Sequence, residues 1–458
     1  MEKKPGFIFT AIIFAVMMTL IIISMFVLQV APHIPLLVCI VIVSLAGLLL
    51  KIKWKELEES MVKGIGLGTK AILILSLVGI VIAVWMMSGT VPTLLFYGLH
   101  LISPAWFAVS ALLICMIVSS FTGSSFTTVG SIGVAMMGIG IALGVNPAIA
   151  AGAVVCGACF GDKMSPLSDT TNLASGIVGV DLFTHIRHLM WTTVPSFILT
   201  ALIFIWIGHS QVSESSNDIP AMMTALTESF SISWLTLLSP LLVVVLAVRR
   251  YPTIPVLIAG IGSGLLTVAI LQGNISMGDW FTVIQDGFVI DTGNSIVNDI
   301  VNGGGLQSMM WSVSLVIIAL ALGGAIQRVG FIETILQGLS AMLSSRGNLI
   351  AATAASSIGV NAVTGEQYLS ILLPAKTYEK HYDSLNVPRK NLSRTLEDAG
   401  TLINPLIPWG VSGAFFASAL GVSVIEYAPF AFFLFISPVL TVLFGYLGIG
   451  VGKVEAKS

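Results

Sequence analysis

The sequence predicts an all-α polytopic membrane protein made of two inverted-topology repeats, each with helical hairpins and discontinuous helices. Three observations carry that expectation: long uncharged apolar runs, basic residues gathered into alternate loops, and Gly and Pro landmarks that recur in the second half. Of 458 residues, 56% are hydrophobic and 9% charged, against about 25% charged in an average globular domain. A soluble chain could not cover its surface with so few charges. Residues 7–30, 34–50, 71–88, 190–208, 232–248, 253–271, 309–327 and 427–448 form apolar runs near the length a helix needs to cross a bilayer. The first run is too long for a signal-peptide core and lacks a small-residue cleavage site, so it is expected to persist as a helix. The four cysteines fall inside apolar segments, which argues against a disulfide framework. Cys156-Gly-Ala-Cys159 reads as small residues for helix packing rather than a metal or redox pair.

Orientation follows from the basic residues. With the N terminus in the cytoplasm, all of the 20 Lys and Arg except Lys70 and Lys163 fall on one side. The opposite loops, near 31–33, 89–104, 138–146, 211–231 and 272–302, carry no Lys or Arg but do carry Glu214, Asp218, Glu228, Asp286, Asp291 and Asp299. That asymmetry is the positive-inside rule and predicts a multi-pass protein of the cell membrane with both termini cytoplasmic.

The landmarks recur in order. Pro32-His-Ile-Pro35 is matched by Pro252-Thr-Ile-Pro255, and Gly64-Ile-Gly-Leu67 by Gly303-Gly-Gly-Leu306. Gly123 matches Gly365, Pro147 matches Pro388, Gly161 and Pro166 match Gly400 and Pro405, and Gly179 matches Gly421, at offsets of 239–242. Basic 51–63 corresponds to acidic 272–302, and uncharged 138–146 to basic 376–394, so the halves are expected to be inverted, as in many secondary transporters. The division is 1–211, a linker at 212–231, and 232–458.

Each half breaks its apolar runs twice. Phe121-Thr-Gly-Ser-Ser-Phe-Thr-Thr128 predicts a hairpin with a polar tip, and Gly359-Val-Asn-Ala-Val-Thr-Gly-Glu366 its counterpart. The helix 147–160 is expected to run into an irregular Gly161–Asn172 before a short helix 173–180, and Gly400–Trp409 repeats that plan. Irregular backbone at membrane depth is tolerated where it lines a cavity or is buried in protein. Acids there cost a few kcal/mol each and are functional by default. Asp162 and Asp169 are therefore the first candidates for an ion ligand or proton carrier. Asp169 is preferred because Ser168, Thr170, Thr171 and Asn172 surround it in sequence with the oxygen ligands a hard cation takes. Glu366 at the second tip joins them. Ser124, Ser125, Thr127, Asn361 and Thr364 are expected as ligands or tip hydrogen bonders.

For Asp162 the bland reading is an ion pair with Lys163. Alternatively Lys163 marks an anionic substrate's carboxylate. Glu397 and Asp398 are either functional or neutralised by Arg394 and Lys390 a turn away, and Asn404 sits in the second break. His185 and His188 are expected on an interfacial face, and 52–62 as an amphipathic helix on the cytoplasmic surface. Gly64–Lys70 lacks phosphate-loop spacing and reads as close helix packing. If Na⁺ and H⁺ compete for one carboxylate and only the occupied site crosses, exchange follows. An organic-anion exchanger is the alternative. A membrane hydrolase finds no H-E-x-x-H or G-x-S-x-G.

With these residues in hand, the chain resembles the NhaC family of sodium/proton antiporters, within the wider ion-transporter superfamily. The resemblance rests on Gly161-Asp-Lys-Met-Ser-Pro-Leu-Ser-Asp-Thr-Thr-Asn-Leu-Ala174, with Phe121–Ser125, Asn404–Trp409 and the hydropathy of the whole chain in support. It implies exchange of cytoplasmic Na⁺ for external H⁺, with no cofactor, no transition metal and no nucleic-acid partner. Some relatives couple this to exchange of malate for lactate. It also implies a homodimer whose hairpin-bearing part moves in an elevator-like way.

Overall fold

A computed structural model describes residues 4–210, 219–272, 276–340 and 345–452. Among these residues the structure is helical, with a single β-bridge between Phe288 and Gly303. Seven helices are long and apolar enough to cross a membrane, and up to eleven if each of four bent pairs is one span. The apolar residues point both ways: Ile8, Trp206 and Ile270 lie on the outer surface, while Lys163, Arg394, Glu397 and Asp398 are fully buried. That reverses the layout of a soluble protein and fits a lipid-facing exterior around a polar interior. The chain is a multi-pass membrane protein.

Two stretches of the chain, from Thr69 and from Gln307, run through a similar order of elements. The Thr69–Met87 helix is followed by Thr90–Leu101, a hairpin of Pro104–Thr122 and Ser125–Ala142, a broken helix of Pro147–Met164 and Asp169–Val178, and Leu182–Ser210. The second stretch runs Gln307–Val329, Phe331–Ser340, a hairpin of Arg346–Thr364 and Gln367–Ser384, a broken helix of Arg389–Leu406 and Val411–Leu420, and a further bent pair, Val424–Phe430 and Phe432–Leu447.

Local chemistry explains each start and stop. Asn146 accepts from Ala148 N with Pro147 at the first helical position, a combination that satisfies free N–H groups and presets φ. Pro388 opens the counterpart helix. Left-handed Gly179 and Gly421 close the short helices after the two breaks.

Several sequence expectations need correction. The first broken helix continues through Gly161, Asp162 and Lys163 to Met164, so the irregular stretch shrinks to Ser165–Ser168 and the second piece starts at Asp169. A Cβ on Gly161 would lie 2.5 Å from Met116 O, so this glycine serves close packing rather than a break. Gly303–Gly305 have φ of 128°, 73° and 85°, whereas Gly64–Leu67 ends the Trp54–Leu67 helix, so that pair of landmarks has no common structure. The Gly64 reading holds otherwise: its Cβ would meet Leu320 O at 2.3 Å. The stretch 89–104 carries the Thr90–Leu101 helix, and 272–302 carries Met277–Asp286 and Ser295–Val301. Of the expected linker, 212–218, with Glu214 and Asp218, lies outside the described residues, and Ile219–Ser229 is a helix. His185 and His188 are buried, bonded to Ser393 Oγ at 2.9 Å and Asn391 Oδ1 at 3.1 Å; they face a helix, not the headgroups.

Candidate functional site

Both hairpin tips are built alike and each touches the break of its own half. Gly123 (φ 64°) ends one arm, and Ser124 caps the other by accepting from Thr127 N at 3.1 Å. Gly365 (φ 67°) and Glu366 do the same, with Glu366 Oε2 accepting from Leu369 N at 2.8 Å. Glycine is required twice over, for the left-handed backbone and for space. A Cβ on Gly123 would sit 2.5 Å from Leu167 Cβ in the first break, and one on Gly365 would sit 2.9 Å from Trp409 O in the second. Gly123→Ala is expected to cost about 1–3 kcal/mol and to lower the melting temperature of the purified protein. An unchanged melting curve would refute this role of the tip.

Tips and breaks together bound a cavity of about 570 Å³, lined among others by Ser124, Asp162, Ser168, Asp169, Thr170, Glu366 and Ser412. Asp162 reaches it from the last turn of Pro147–Met164. Ser125 donates to Asp162 Oδ2 from its backbone N (3.1 Å) and its Oγ (2.7 Å). The first tip is thus bonded directly to the acid of the first break. Glu397 lies in a π-helical turn, Glu397–Thr401, that leads to the second break. Its Oε1 accepts from Thr170 Oγ1 at 3.1 Å, and Thr170 is paired with Ser168 Oγ at 3.1 Å. Its Oε2 is buried beside the Thr401 hydroxyl of the same turn. A fully buried carboxylate with no ion-pair partner among the described residues is costly unless a proton or a cation neutralises it.

The other acid of that turn is fully satisfied. Asp398 accepts from Lys163 Nζ, from Ser437 Oγ (2.8 Å), from Thr192 Oγ1 (2.9 Å) and from Thr441 Oγ1. Lys163 Nζ also donates to Ser437 Oγ at 3.0 Å and lies 5.6 Å from the centre of the Phe433 ring. Two expectations fall here. Lys163 pairs with Asp398, not with Asp162, because neighbouring side chains leave a helix about 100° apart and that of Lys163 is directed at the Glu397–Thr401 turn. It is therefore not open to a substrate's carboxylate. Arg394 and Lys390 do not neutralise Asp398 by direct contact: Arg394 Nη1 donates to Gly450 O at 3.3 Å, and Lys390 packs near Gly452.

Asp169 also differs from expectation. It stands at the cavity mouth, bonded to Lys70 Nζ at 2.7 Å, with both side chains about 60% exposed. The polar residues beside it in sequence turn elsewhere: Thr171 Oγ1 donates to Lys163 O, and Asn172 Nδ2 to Pro166 O and Ser168 O. Asn404 bridges second tip and second break, donating to Asn361 Oδ1 (2.7 Å) and Gly365 O (2.9 Å) while accepting from Ser412 N (2.7 Å). Asn361 in turn donates to Gly400 O. These two amides clamp the backbone. Thr364 bonds back to Val360 O, and Thr127 to Ser124.

Sequence reasoning missed Lys70 as a partner, and Thr192, Ser437 and Thr441 around Asp398. Hydroxyls inside apolar runs were the available signal. Among the described residues no group of three His, Cys, Asp or Glu is placed to hold a metal ion by itself. Cys156 and Cys159 are buried packing residues.

Broken helices and hairpin tips closing on buried acids, inside an apolar multi-pass bundle, define a membrane transporter rather than an enzyme. The profile of the "Na+/H+ antiporter family" matches residues 157–449. A protein of Alkalihalophilus pseudofirmus named "Na(+)/H(+) antiporter NhaC" is 70% identical over 456 residues, covering 100% of this chain and 99% of its own. A protein of the same name from Bacillus subtilis is 49% identical over 97% of this chain and 99% of its own. A "Malate-2H(+)/Na(+)-lactate antiporter" of Bacillus subtilis is 35% identical, covering 89% and 87%. The chain belongs to the Na⁺/H⁺ antiporter family.

Proposed function

We propose that this protein exchanges Na⁺ for H⁺ across the cell membrane, with Asp162 and Glu397 as the shared site. The observation that carries the reading is the fully buried Glu397 carboxylate, without an ion-pair partner among the described residues and tied through Thr170 and Ser168 to the cavity that Asp162 lines. A carboxylate at this depth with no charged partner favours a cation or a proton. Ser125, Ser168 and Thr170 add neutral oxygens of the kind a hard cation takes. With Asp398 already matched by Lys163, Asp162 and Glu397 are the groups left to be neutralised by cargo, and Glu366 adds a third carboxyl at the wall. The family and the two relatives of 70% and 49% identity support Na⁺ and H⁺ as that cargo. The burial of Lys163 speaks against a carboxylate anchored there.

The order of elements, the two matched tips and the two four-residue breaks support two repeats, and the basic residues support their inversion with cytoplasmic termini. The cavity reaches Arg250 and Tyr251, on the face to which the basic loops belong, which supports an inward-open state. Alternating access then needs the hairpins and breaks to move against the Thr69–Met87 and Gln307–Val329 helices.

Reconstituted vesicles with an imposed pH gradient test the reading. Added Na⁺ should collapse the gradient with no organic acid present. If both ions bind one site, the apparent KM for Na⁺ rises as pH falls, by about tenfold per unit once protons occupy most sites. A KM independent of pH, or a requirement for malate or lactate, would overturn it.

A further inference from the structure

The ion pair at the cavity mouth joins the first turn of Thr69–Met87 to the first turn of Asp169–Val178. Lys70 stands in the first turn of Thr69–Met87, a helix packed on Thr253–Leu271, Met277–Asp286 and Gln307–Val329. Asp169 opens Asp169–Val178, which packs on Gln367–Ser384 and Arg389–Leu396. Both residues line the cavity, so a cation leaving the cytoplasmic side passes this pair before it reaches Asp162. Asp169 lies at a helix N-terminus and is the acid that Lys70 touches, at 2.7 Å. Arg250 is the other cation at that wall.

We propose that Lys70 is an affinity-setting residue: a tethered cation that Na⁺ displaces from Asp169 on its way to the deeper site. The inference rests on the exchange reading above and adds an outer station to it. An ammonium held on a side chain competes at high effective concentration, yet an exposed pair is weak, at most about fivefold in equilibrium constant. Lys70 therefore raises the Na⁺ concentration needed for transport without blocking it. When Na⁺ is scarce the pair closes across the mouth; when Na⁺ is abundant the pair opens and its two helices are free to separate. A merely structural latch would change stability or turnover but leave the concentration dependence alone.

Initial rates against Na⁺ concentration, at fixed pH and at ionic strength held with choline chloride, separate these roles. Lys70→Gln is expected to lower the apparent KM for Na⁺ by about threefold to fivefold, with a smaller change in kcat. Asp169→Asn leaves Lys70 unpaired in the mouth and is expected to raise KM by a similar factor through repulsion. The paired exchange Lys70→Asp with Asp169→Lys is expected to return KM to within about twofold of the parent, since it restores the contact. Raising choline chloride tenfold should shrink the single-variant effects, because exposed charges are screened. An unchanged or higher KM in Lys70→Gln, or a loss confined to kcat, overturns the proposal. A parent protein that moves no protons on Na⁺ addition overturns the exchange reading with it; an active parent with a KM indifferent to Lys70 overturns this inference alone.

Discussion

Asp162→Asn is expected to abolish Na⁺-driven proton movement, with residual rates below about one hundredth of the parent, while the protein still folds and inserts. The amide keeps the shape and can still accept from Ser125 Oγ, so the hairpin tip stays docked. What it loses is the charge. A neutral amide cannot take up a proton at any pH of interest, nor offset a desolvated cation. Glu397→Gln should behave alike, and the double variant should be no worse than either, because groups acting as one site are not additive. Retained exchange in Asp162→Asn would move the site elsewhere in the cavity, with Glu366 next in line.

The second large effect is on stability. Lys163→Met leaves Asp398 charged and fully buried, with only Thr192, Ser437 and Thr441 around it. Removing one partner of a buried pair costs about 3–5 kcal/mol, so purified Lys163→Met should melt well below the parent or fail to accumulate. Adding Asp398→Asn removes the stranded charge, and the double variant should regain at least half of the loss. A single variant as stable as the parent, or a double variant worse than both, would show that the pair does not hold Pro147–Met164 to the Glu397–Thr401 turn. That contrast also separates the acids: Asp398 fails in stability, Asp162 and Glu397 in transport.

How far the sequence could be read depended on whether a feature was local. Apolar runs, hairpin tips and breaks were legible because Gly, Pro and polar residues interrupt apolar sequence, and caps such as Ser124 act within three residues. Even so, Gly161 looked like a breaker and is a contact surface for Met116. Partner choice was not legible. Lys163 and Asp398 are 235 positions apart and Lys70 and Asp169 are 99 apart, whereas neighbours in sequence suggested Asp162 for the first and hydroxyl ligands for the second. On a helix, adjacent residues point about 100° apart, so Asp162 faces the cavity while Lys163 faces the second half. The hydroxyl and amide set expected around Asp169 is not assembled for the same reason: Thr171 and Asn172 share its stretch of chain but bond in other directions.

Proton release on Na⁺ binding tests the shared site most directly. Purified protein in weakly buffered solution, at a pH where protons occupy the site, should acidify the medium when NaCl is added and not when choline chloride is added. The release should saturate with Na⁺ and disappear in Asp162→Asn/Glu397→Gln. Saturable Na⁺ binding with no proton release, or release that survives in the double variant, would contradict the account.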